Sequence, residues 1–99
     1  MFLTGKKVAI VAMVIMSMNS IVQADGKALY NSLGCGSCHG ANGKSAIPAY
    51  PSLVGKSATY LVKQLRDFQT GARKNATMNA MAPMAAGHEQ AIADYLSTQ

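Results

Sequence analysis

The sequence predicts an all-α domain of three to four short helices wrapped around a ligand, and three observations carry that expectation. Apolar residues recur at helical spacing in separate short segments, and no stretch shows the period of two that marks a half-buried strand. The chain has 99 residues, which is room for one small domain and too little for an apolar core that is stable unaided. Gly40–Lys56, "GANGKSAIPAYPSLVGK", is an irregular stretch longer than a compact domain carries unless it wraps something.

The first segment reads as a leader. A basic start, "MFLTGKK", precedes the apolar run Val8–Met16, and Val22-Gln23-Ala24 offers small residues where a signal peptidase cuts. That is the order of a secretory signal. A spanning helix would need about 20 apolar residues, whereas Ser17, Asn19, Ser20 and Gln23 interrupt this run. Residues 1–24 are therefore expected to be a signal peptide, cleaved after Ala24, with residues 25–99 as the domain. No cysteine lies near the cut to take a lipid.

Beyond the leader, Ala28, Leu29 and Leu33 predict a helix over about 26–34, with Gly34 as its stop. The loop 40–56 follows, where Pro48 and Pro51 rule out a regular helix. Ser57 can cap the next helix and Gly71 can end it. Leu61, Leu65 and Phe68 form its apolar face, with Tyr60 beside it and Lys63, Arg66 and Asp67 elsewhere. The stretch with Met78, Met81, Pro83 and Met84 reads as a loop. A final short helix is expected over about 88–96, with Ile92, Tyr95 and Leu96 inward.

Charge excludes one class of partner. Nine basic residues against four acidic ones give a net charge of +5, but Lys6 and Lys7 belong to the leader and the rest are scattered. There is no basic stripe and no interleaving of basic and aromatic residues, so nothing points to nucleic acid. A basic face for an acidic partner and ordinary solvated charge both fit the excess.

Chemistry concentrates in Cys35-Gly36-Ser37-Cys38-His39, which holds both of the chain's cysteines. C-x-x-C-H is the attachment pattern of c-type haem. Two thiols on one helical turn can add to the two vinyl groups of a porphyrin edge, and the following histidine then lies over the iron. Three other readings weigh less. A structural zinc site needs four ligands, and Cys35, Cys38, His39 and the distant His88 are all that is available. A thioredoxin-like dithiol belongs beside a βαβ unit, and no strand is expected here. A lone disulfide across two residues closes almost no loop and stabilises little. One covalent haem c, held by two thioethers, answers the size problem as well, because a porphyrin is a large apolar body for the loop and helices to close around. Secretion agrees, since such attachment takes place outside the cytoplasm.

At this point the chain resembles a known family, the small class I cytochromes c of the bacterial periplasm, including single halves of the dihaem type. The resemblance spans residues 25–99 and rests on "CGSCHGANGKSAIPAYPSLVGK", "YLVKQLRDFQTGARKN", "MNAMAPMAAG" and "IADYL". It implies the class I cytochrome c fold, with Cys35 and Cys38 holding the haem and His39 as the proximal ligand. Pro51 falls where the family's proline offers its carbonyl to the other ring nitrogen of that histidine, and Leu53 where a leucine packs on the haem. Gly26, Tyr30 and Tyr95 fall where the first and last helices cross. Three of the seven methionines lie in one stretch beyond the leader, and the resemblance selects Met81 as the sixth ligand, with Met84 and Met78 as alternatives. The final helix is about a turn short of the family's pattern, and His88 stands where an apolar cap is expected, which adds His88 as a further alternative.

With both axial positions of the iron filled by protein, the resemblance implies one-electron transfer in the periplasm rather than an enzyme. Its expected partners are redox proteins: a quinol-oxidising membrane complex as donor, and a terminal oxidase or a periplasmic reductase as acceptor, with transient docking at the membrane surface open. A haem-based gas sensor or peroxidase-like enzyme, which needs a labile sixth ligand, is the alternative.

Overall fold

The computed structural model describes residues 25–99; the expected signal peptide and its cleavage site lie outside the described residues. Among the described residues all regular structure is helical. The elements are α1 (25–32), α2 (Gly36–His39), α3 (Ala58–Thr70), α4 (Ala76–Met81), a 3₁₀ turn (Ala82–Ala85) and α5 (Glu89–Ser97).

The helix signals in the sequence act largely as read. Ser57 accepts a hydrogen bond from the Tyr60 N–H at 3.1 Å and starts α3, while Gly71, at φ 81°, ends it in the left-handed conformation that favours glycine. The first helix stops earlier than expected. Residues 33–35 form a turn around Gly34, at φ 80°, before α2 begins. The last helix starts one residue later than read, with the exposed His88 at its N-cap making no side-chain cap bond.

The segment expected as a methionine loop is instead helical, and one residue explains the difference. Asn75 has an extended backbone and its side chain accepts from the Met78 N–H at 2.9 Å, which makes it the N-cap of α4. Pro83 does not break the run, because it sits in the first positions of the following 3₁₀ turn, where a missing N–H costs little.

α3 packs chiefly against α5, and the core joins Leu61 and Val62 of α3 to Ile92, Ala93, Tyr95 and Leu96 of α5, with Tyr30 of α1 and Ala85 of the 3₁₀ turn. Tyr30 is fully buried, and its ring centroid lies 5.9 Å from that of Tyr95. Gly26 makes this crossing close. A Cβ there would collide with the Ala91 carbonyl oxygen and come within 2.7 Å of the Tyr95 Cβ. Across the long loop, the Leu53 N–H donates to the Gly43 carbonyl at 2.6 Å, and the Tyr95 hydroxyl donates to Asn42 Oδ1 at 3.1 Å. The loop is thus fastened at its neck to the last helix.

Candidate functional site

The loop and helices enclose a cavity of about 460 Å³, within the roughly 300–1,000 Å³ that houses a bound organic ligand. α2 and the turn before it bring Cys35, Cys38 and His39 to its wall. α3 adds Leu61, Leu65 and Phe68, α5 adds Ile92 and Leu96, and the methionine turn adds Met78, Met81, Ala82 and Ala85. Most of the surface that the lining presents is apolar.

His39 is the best-defined donor. It is 8% exposed, and its Nδ1–H donates to the Pro51 carbonyl oxygen at 2.8 Å. A carbonyl can only accept, so the proton sits on Nδ1 and the Nε2 lone pair stays available to a Lewis acid. The backbone on either side is fixed too. The Tyr30 hydroxyl donates to the Gly40 carbonyl at 2.7 Å. Burial, helped by the nearby Cys35 and Tyr95, pushes the Tyr30 phenol up to about 12, so it stays a donor at any working pH. Gly40 turns the chain sharply at φ 90°, where a Cβ would strike the Lys44 carbonyl.

Neither cysteine is in a disulfide; both are half-buried. Burial pushes the Cys35 thiol up, against a weaker opposing backbone hydrogen bond. Redox-active dithiols need the reverse, a depressed thiol pKa in an electropositive setting. Among the described residues no group of three or more His, Cys, Asp or Glu side chains could hold a metal ion unaided. The dithiol, disulfide and zinc readings therefore find no support in the geometry.

Of the other residues expected from the sequence, Pro51 and Leu53 line the cavity, and Leu53 packs on the core as well. Met81 lines it too, but so does Met78, one helical turn earlier; both are half-buried. Met84 is 53% exposed, and neither it nor His88 belongs to the wall. The donor set offered to one ligand is thus two thiols, one imidazole nitrogen and thioether sulfur in an apolar pocket, which fits a haem attached through two thioethers.

Sequence reasoning missed the groups that support this wall. Arg73 stacks 4.8 Å from the Phe68 ring centroid and donates to Gln64 Oε1 at 2.6 Å, and with Lys56 and Lys74 it lines the cavity as well. Glu89 is buried and accepts from Gln69 Nε2 at 2.9 Å and from the Gly87 N–H at 3.0 Å. Gln69 holds its carboxyl below the usual range; burial opposes this, while backbone N–H groups and the charge of Arg66 add to it. Asn75 and Asn79 brace the methionine turn. The asparagines flanking the first methionine of "NATMN" were the available signal, hidden by reading the segment as a loop.

Comparison with known proteins points to one family. The family model for cytochrome c matches residues 23–99. Cytochrome c-554(548) of Halomonas halodenitrificans is 42% identical over 69 residues, covering 66% of this chain and 83% of the relative. The thiosulfate dehydrogenase electron acceptor of Thiomonas intermedia is 48% identical over 65 residues, covering 64% of this chain and 30% of the relative. The structure of cytochrome c4 from Acidithiobacillus ferrooxidans superposes with a TM-score of 0.68 at 32% identity, covering 77% of this chain and 48% of that one. The chain thus spans about half of the cytochrome c4 chain, as a single half of such a protein would.

Proposed function

This chain belongs to the cytochrome c family, and from that premise we propose that it is a one-electron carrier of the bacterial periplasm, with no reaction of its own to catalyse. The observation that carries the reading is the His39–Pro51 hydrogen bond at 2.8 Å, in an apolar cavity that both cysteines and two methionines line. When bound, the haem supplies an iron that exchanges one electron between its ferrous and ferric states.

The chain's own residues have distinct tasks. Cys35 and Cys38 hold the haem as thioethers and make it part of the fold. His39 gives Nε2 to the iron, and the Pro51 carbonyl holds the ring plane and raises its basicity. Leu53 packs on the porphyrin and helps exclude water. A methionine sulfur completes the ligand set, and this soft ligand favours the ferrous state and raises the potential. The resemblance of "MAPMAAG" to the family's ligand stretch favours Met81. Met78 is on the same wall, in the first turn of α4 that the Asn75 cap starts. Met78 is the assignment we adopt, with Met81 as its rival.

Residues 1–24 would direct the chain to the periplasm and be removed after Ala24. Partners are redox proteins that exchange electrons at the haem edge. The quinol-oxidising complex and terminal oxidase or reductase expected of the family are one pair. A substrate-oxidising dehydrogenase as donor is another, favoured by the relative named as an electron acceptor of thiosulfate dehydrogenase.

Spectra of the protein purified from periplasm test this reading. We expect one haem per chain that survives denaturing extraction, a weak far-red sulfur-to-iron band in the oxidised form, and no reaction of the reduced form with carbon monoxide at neutral pH. A haem lost on denaturation would overturn covalent attachment. Rapid carbon monoxide binding would instead favour the sensor or peroxidase-like reading.

A further inference from the structure

α3 ends, as every helix does, with carbonyls that lack an intrahelical partner. The Phe68 carbonyl is one of them, and Asn79 takes it: its Nδ2 donates to Phe68 O at 2.9 Å and to Arg73 O at 2.9 Å. On its other side, Asn79 Oδ1 accepts from the Asn75 N–H at 2.9 Å. Asn75 in turn caps Met78 at 2.9 Å. The two asparagines form a reciprocal brace like a capping box shifted by one residue. Every polar atom of the Asn79 side chain is engaged, and all of its partners are backbone groups.

This brace is the fastening of the methionine turn at its front. At the rear, Gln69 Nε2 donates to the Ala82 carbonyl at 3.0 Å. Between these two ties lie Met78 and Met81. The side chains of α4 add little packing of their own: none is buried, and neither methionine belongs to the apolar cluster of the core; packing begins with Ala82 and Ala85 behind them. The front of the turn therefore depends on its hydrogen bonds, while Ala82 and Ala85 anchor the rear by burial as well.

We propose that Asn79 is a positioning residue for the iron's sixth ligand, clamping the methionine turn onto the C-terminus of α3 so that the sulfur stays within reach of the iron. The inference rests on the methionine-ligated haem proposed above and holds for either methionine, since both ride on the clamped turn. Replacing Asn79 removes the clamp without touching the haem pocket, because Asn79 is not part of the cavity wall.

The test compares wild type, Asn79→Ala and Asn79→Asp as holoproteins. Thermal loss of the far-red band is followed beside thermal loss of helical signal, and carbon monoxide association is measured on the reduced form. In Asn79→Ala the band should melt well below the helices, and carbon monoxide should associate about tenfold faster, the factor for losing one or two net hydrogen bonds. Asn79→Asp keeps an acceptor for the Asn75 N–H but loses both donors, so it should behave in the same way. If the two signals move together in both variants, or carbon monoxide association is unchanged, Asn79 is merely structural and the inference falls. Should Asn79→Ala fail to fold, Asn79→Asp alone decides, and wild-type behaviour in it overturns the clamp. A wild type with no far-red band defeats the methionine-ligation reading itself, and the clamp with it, which tells the two failures apart.

Discussion

The segment that supplies His39 and the segment that supplies the methionines reach the same cavity by different means. Cys35 to His39 is a single turn of contiguous residues, and α2 spans only four of them. Two hydrogen bonds, from His39 to Pro51 and from Tyr30 to Gly40, fix it. The methionine turn is held by two side-chain amides and by the buried Ala82 and Ala85 at its rear: Asn79 donates to the end of α3, and Gln69 of α3 donates to the Ala82 carbonyl and to the Glu89 carboxylate of α5. The first arrangement is written in the chemical identity of neighbouring residues. The second exists only because another helix ends nearby with carbonyls to spare. It follows that remote substitutions should disturb the methionine side more readily than the histidine side.

The largest expected effect is on the methionines themselves. Met78→Ala should abolish the far-red band, lower the reduction potential and open the ferrous iron to carbon monoxide, while leaving the His39 side intact. Met81→Ala should keep the band. Potentiometry with optical detection checks both variants, and the reverse result assigns the ligand to Met81.

Gly26→Ala probes the frame that both sides share. The new Cβ would press on the Ala91 carbonyl and on Tyr95, so overpacking should destabilise the fold by about 1–3 kcal/mol. Thermal unfolding should shift downward, with the band and the helical signal lost together. Separate losses would mean that the α1–α5 crossing is coupled to one ligand only.

Glu89→Gln should give the smallest change, confined to acid. The Glu89 carboxyl lies below its ordinary value of 4.5 in the fold, chiefly through Gln69. A depressed carboxyl adds stability that is present above the unfolded value and is lost as pH falls through the folded one. Wild type should therefore lose stability below about pH 4.5, and Glu89→Gln should flatten that slope while changing little at neutral pH. An acid titration of the thermal midpoint measures it, and an unchanged slope would show that Glu89 does not hold the rear of the turn.

Much of this molecule was legible residue by residue. The ends of α3 followed from Ser57 and Gly71 because caps act locally. The expected contact of Gly26 with the last helix is present because only a residue without a side chain permits that approach. The loop over 40–56 is irregular, as its glycines and prolines require. The methionine stretch reads as a loop in the sequence because its helix, at six residues, is too short for an apolar period to show, and only the Asn75 cap marks its start.

The sequence by itself determined the helical class and the pattern that points to haem attachment, and it singled out His39 as the expected proximal ligand. Each depends on residue type and on spacings of a few residues, which backbone geometry converts directly into position. Only the tertiary structure decided which methionines reach the cavity, that Met84 is turned out to solvent, and that Asn79 and Gln69 pin the turn to α3. Those outcomes depend on where the end of one helix meets the start of another. That meeting is set by packing of α1, α3 and α5 around shared core residues, and no local pattern along the chain encodes it.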